Sequence, residues 1–86
     1  MLQRTLYKKQ NIDLSSAPWT MHEFFAGSGL VAYGLKGMFA PIWANDISEQ
    51  KAAVYEANFG CEHFELGDIK DVNGRDLPFA HLSWAS

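Results

Sequence analysis

The chain has 86 residues and a formal net charge of −3, with 48% hydrophobic and 14% aromatic residues. That describes one small folding unit or part of one, and it excludes a disordered tail. The acidic balance argues against a large nucleic-acid surface on these residues, and one cysteine, Cys61, excludes an internal disulfide and a multi-cysteine metal site.

Residues 1–18 are polar, carry Arg4, Lys8 and Lys9, and end in Ser15-Ser16-Ala17-Pro18, which predicts a leader and linker. The domain proper is expected over residues 19–86. Trp19 to Ala26 is short, aromatic and bounded by Pro18 and Gly27, as a strand is. His22 and Glu23 sit inside this apolar stretch. Gly27-Ser28-Gly29 breaks it. Val31, Leu35 and Met38 then recur at helical spacing, predicting a helix over Leu30 to Met38 with Gly37 near its end.

Pro41 to Asn45 reads as a second strand. Ser48 suits an N-cap with Glu49 in the first turn, and Ala52, Tyr55 and Phe59 define the buried face of a helix that Gly60 stops. Glu62 to Leu66 is a brief third strand, followed by Gly67-Asp68. Asp71 to Pro78 is a loop with an Asn73-Gly74 turn, and Phe79 to Ala85 reads as a fourth strand. Alternation of this kind predicts an α/β fold, a parallel sheet with β-α-β-α-β-β order and right-handed crossovers.

Three places carry chemistry. Phe25-Ala26-Gly27-Ser28-Gly29-Leu30 lies between a strand and a helix, where glycine lets a ligand approach the backbone. Asp46 follows about 20 residues later, where nucleotide-binding βαβ units place a carboxylate on the ribose hydroxyls. Asp68, with Ile69 beside it, can accept from an exocyclic amine while the apolar neighbour covers a purine face. Each has a plainer alternative: a structural glycine turn, a helix cap at Asp46, an ordinary turn at Asp68. Together they fall at the C-terminal ends of strands, where open α/β sheets bind ligands. His22, His63 and His81 show no metal-ligand spacing, Trp19, Trp43 and Trp84 read as sheet and core, and no nucleophile sits beside a base. No apolar run approaches the ~18 residues of a membrane helix, so a cytoplasmic location is expected.

From about Glu23 onward the sequence resembles the DNA cytosine-5 methyltransferases. Phe25-Ala26-Gly27-Ser28-Gly29-Leu30 is similar to the family's Phe-x-Gly-x-Gly-Gly turn, Ala44-Asn45-Asp46-Ile47 to its ribose- and adenine-binding motif, Tyr55-Glu56-Ala57-Asn58-Phe59 to its Tyr-x-x-Asn-Phe helix end, and Gly67-Asp68-Ile69 to its third motif. The resemblance implies a partial Rossmann-like methyltransferase fold that binds S-adenosyl-L-methionine through Phe25, Ala26, Gly27, Ser28, Gly29, Leu30, Asp46, Ile47, Asp68 and Ile69. It implies methyl transfer to C5 of cytosine in double-stranded DNA, with no metal and no membrane.

The family's Pro-Cys-Gln nucleophile is expected just after Ser86, and Cys61 precedes the third motif and does not replace it. No catalytic residue is therefore assigned to this chain, which is expected to be inactive alone. DNA would be engaged through the remainder of the enzyme. Two departures stand out: Leu30 replaces a glycine, and His81 stands where an Asp is common. The resemblance further implies that the fourth strand lies beside the first, with an apolar edge that recruits a complementing chain or a second copy. The competing expectations are a subunit of a split methyltransferase and a non-catalytic nucleotide-binding or interaction remnant.

Overall fold

The computed structural model describes residues 17–85. Apart from Ala17 and Pro18, the expected leader lies outside the described residues. Strand β1 (Trp19–Phe24) leads through the glycine turn to helix α1 (Leu30–Leu35), strand β2 (Phe39–Asp46), helix α2 (Glu49–Phe59) and strand β3 (Phe64–Leu66). Two single 3-10 turns (Ile69–Asp71 and Gly74–Asp76) then lead to strand β4 (Leu82–Ala85). The sheet order is β3-β2-β1-β4, and all three pairings are parallel. The expected α/β order holds, and β4 pairs with β1 as the resemblance implied.

Both crossovers step in the same direction, so right-handedness puts both helices on one face. Ala26, Ala32, Ala44, Tyr55 and Phe59 form the core there, with Phe64 packed against it. Three alanines let the backbones close in around one aromatic group. Tyr55 is fully buried, with ring centroids 5.0 Å from Phe59 and 4.8 Å from Phe64. Its hydroxyl lies 2.8 Å from His63 Nε2. On the opposite face Phe24 and Trp43 pack at 5.2 Å, and the Trp43 indole N–H donates to Glu65 Oε1 at 3.2 Å.

Several sequence boundaries move for identifiable reasons. β2 begins at Phe39, ahead of Pro41, because a register shift opposite Met21 and His22 absorbs the proline, which has no N–H to donate. α1 ends at Leu35 and buries Ala32, whereas Met38 is 50% exposed. The apolar spacing of Val31, Leu35 and Met38 therefore does not mark the packed face. β4 starts only at Leu82; Phe79 is 79% exposed, and His81 is occupied with β1. There the Thr20 backbone N–H donates to His81 Nδ1 at 3.1 Å, and the His81 N–H returns to the Thr20 carbonyl at 3.0 Å. Histidine thus makes its own local bonds at the position where the family favours Asp. Trp43 is a core residue, but Trp19 and Trp84 are each nearly half exposed.

His22 adds a second tie between β1 and β4. One ring nitrogen faces the Ser83 hydroxyl at 3.0 Å and the other the Pro78 carbonyl. The Pro78 carbonyl can only accept, so Nε2 donates to it, and Nδ1 pairs with the Ser83 hydroxyl, which can either give or take a proton. Among the described residues no helix is long and apolar enough to cross a membrane, and no group of acidic, histidine or cysteine side chains could hold a metal ion.

Candidate ligand site at the strand ends

The site begins where β1 stops. Phe25 has φ 57, an uncommon conformation for a residue with a side chain, and its ring is nearly half exposed. The chain stays tied to β2, because the Ala26 N–H donates to the Asn45 carbonyl at 2.7 Å. Gly27 and Gly29 follow with φ 60 and φ 97, both in the left-handed region.

The two glycines serve different ends. A Cβ on Gly29 would sit 2.6 Å from Phe59 and 3.0 Å from Tyr55, so Gly29 lets α2 pack against the turn. A Cβ on Gly27 would meet only Lys51 Cδ, at 3.9 Å. Gly27 therefore presents bare backbone to an open cleft of about 330 Å3, lined also by Phe25, Ala26, Ser28, Leu30, Val31 and Lys51. A second cleft of about 230 Å3, behind Ser28 and Leu30, runs along Tyr33, Val54 and Asn58.

Asp46 closes β2 and binds in two directions. Its Oδ2 accepts from the Gly27 N–H at 2.8 Å and its Oδ1 from the Ser48 N–H at 2.9 Å. Each oxygen keeps one lone pair. Ser48 is then free to cap α2, accepting from the Lys51 N–H at 3.2 Å. The carboxylate and the cap are separate devices, and the carboxylate also holds the glycine turn.

Asn45, almost wholly buried, joins the third motif to the other two. Its amide donates to the Gly67 carbonyl at 2.9 Å and the Glu65 carbonyl at 3.1 Å, while the Gly67 N–H donates to the Asp46 carbonyl at 2.9 Å. Gly27, Asp46 and Gly67 are thus linked across three neighbouring strand ends. Ile47, next to Asp46 in the chain, is 67% exposed, and Leu66, the register partner of Asp46 on β3, is nearly half exposed. Asp68 caps the first 3-10 turn, accepting from the Lys70 N–H at 2.9 Å, with Ile69 half-buried after it. Its contact with the Lys70 ammonium, 3.8 Å at the surface, adds little.

The sequence placed Glu23 inside an apolar stretch and Asn45 in the second motif but gave neither of them, nor Lys51, a role. Asn45 and Lys51 offered no signal before the strands were assembled. Glu23 did, since strand alternation places it with the buried Met21. Burial pushes its carboxyl up to about 7, with the Ala32 backbone N–H opposing weakly. Burial, and then the Glu23 charge, push the Tyr55 phenol above its ordinary value. Burial also lowers His63, against the pull of Glu62.

Cys61 follows α2 and is exposed. Neither a curated protein nor a solved structure matches the chain significantly. A family model for the C-5 cytosine-specific DNA methylase does match, over residues 19–83, from the first residue of β1 into β4. The chain belongs to the C-5 cytosine-specific DNA methylase family.

Proposed function

We propose that this chain supplies the S-adenosyl-L-methionine side of a DNA (cytosine-5-)-methyltransferase, the domain occupying residues 19–86. The observation that carries this reading is the linkage of Gly27, Asp46 and Gly67 across adjacent strand ends, beside a cleft into which Gly27 shows only backbone. The donor set suits the cofactor. Phe25 to Leu30 would receive its amino-acid end, and the spare lone pairs of Asp46 would accept from the ribose hydroxyls. Ile47 would cover the adenine, with Asp68 and Ile69 at its amine edge. The bound cofactor would supply a methyl group on a sulfonium, ready for transfer to a nucleophilic carbon.

These 86 residues contain no Pro-Cys-Gln, and their one cysteine is Cys61. Cys61, exposed just after α2 and away from the strand ends of the ligand site, is not placed to serve as the nucleophile for cytosine C6. The purified chain is expected to bind S-adenosyl-L-methionine by calorimetry and to transfer no labelled methyl group to double-stranded DNA. Labelled cytosine in that assay would refute the division of labour, and absent binding would refute the cofactor reading.

We also propose that β4, an edge of the sheet carrying Leu82 and the half-exposed Trp84, pairs with a complementing chain or a second copy. Light scattering at rising concentration is expected to show mass above that of one chain. A constant monomer mass counts against self-association. Cytoplasmic location belongs to the same proposal.

A further inference from the structure

Glu23 is the polar group that the ligand site leaves unexplained. It lies on β1 facing the helices, fully buried, and neither carboxylate oxygen has a hydrogen-bond partner. An unpartnered carboxylate is among the costliest groups a small core can hold, and packing alone gives no reason for one. Its surroundings suggest a reason. α1 starts from Gly29, which has no side chain to cap the helix. A capping oxygen ordinarily accepts from the N–H of the second or third helical residue. Ala32 is the third residue of α1 and packs in one core cluster with Ala44, the register neighbour of Glu23, which brings that turn over the buried carboxylate. The carboxylate therefore reaches from the strand beneath toward the place a cap would occupy.

We propose that Glu23 is a positioning residue: from inside the core its carboxylate holds the first turn of α1, and with it the Gly27–Gly29 turn, in the shape that receives the ligand. Its meaning for binding rests on the cofactor reading above. The contact with Ala32 is not closed as a hydrogen bond here, and ionisation of Glu23 tightens it, because a charged acceptor draws an N–H more strongly. Few other charges compete. α2 packs the Tyr55 phenol near Glu23, and burial keeps that phenol neutral. Glu49 and Lys51 of α2 and Tyr33 of α1 are exposed, and the register neighbours Ala44 on β2 and Trp84 on β4 do not titrate.

The test is a pH titration of the ligand-free chain by NMR, with carbon-labelled glutamate side chains and nitrogen-labelled backbone. The Glu23 carboxyl is expected to titrate near pH 7, with the Gly29, Val31 and Ala32 amides moving at the same midpoint. In Glu23→Gln those amides hold still over that range, although the chain melts at a higher temperature at pH 8. In parallel calorimetry, wild-type affinity for S-adenosyl-L-methionine rises several-fold from pH 6 to pH 8. The Glu23→Gln affinity stays flat and is weaker than wild type at pH 8. A purely structural glutamate would change the melting temperature and nothing else. Amides that ignore Glu23, or a Glu23→Gln chain that keeps the wild-type pH profile, overturn the proposal. Coupled amides in a chain that binds no cofactor support the positioning role and overturn the cofactor reading instead.

Discussion

Gly29→Ala is expected to lower stability by about 3 kcal/mol, while Gly27→Ala costs only about 1 kcal/mol. Both substitutions put a side chain into the left-handed region, at about 1–2 kcal/mol each. Only the Gly29 methyl also collides, at 2.6 Å from Phe59 and 3.0 Å from Tyr55. Those rings are buried and packed on each other and on Phe64, so they have little room to yield, and overpacking adds about 1–3 kcal/mol. Urea unfolding of the two variants beside wild type measures the difference. Equal losses would mean that the aromatic wall moves aside and that the two glycines do one job. At Gly27 the methyl points into the open cleft, so folding bears only the backbone cost and the steric penalty should appear in cofactor affinity.

Asp46→Asn is expected to destabilise the chain by about 2–3 kcal/mol before any ligand is added. Both carboxylate oxygens accept backbone N–H groups, from Gly27 and from Ser48. An asparagine offers one acceptor and one NH2, so a donor must face a donor whichever way the amide turns. Hydrogen bonds to a charged acceptor contribute roughly 1.5–3 kcal/mol, and the orphaned N–H adds its own cost. Thermal unfolding without ligand checks this, and an unchanged midpoint would show that neither bond bears load. The result matters for interpreting any loss of cofactor binding in an Asp46 variant, because part of that loss comes from the released glycine turn.

The sequence made the α/β order legible because each element carried its own local signal: Ser48 before a helix, Gly60 after it, aromatic and β-branched runs between turns. The lineup of Gly27, Asp46 and Gly67 was legible for the same reason, since a parallel sheet brings successive strand ends side by side. What stayed hidden depended on partners distant in sequence. Gly29 looked like the twin of Gly27 until α2 folded onto it. Asp46 and Ser48 looked like rivals for one cap, and each turned out to have its own N–H. Phe79 passed for a strand residue because it is apolar, yet His81 claims Thr20 and the ladder begins only at Leu82. Glu23 was the missed opportunity, since alternation with Met21 was there to be read.

The bonds from His22 to Ser83 and from Thr20 to His81 each join residues 61 positions apart. The β1–β2 and β2–β3 pairings are bridged by compact helical crossovers, so their loops close early and cheaply. β4 must close by far the longest loop, and the entropy of doing so is met only when its ladder and both histidines engage together. Docking of β4 is therefore expected to come late in assembly, and amide exchange is expected to be fastest in its ladder. His22 on β1 and His81 just ahead of β4 act as latches on a door that shuts last.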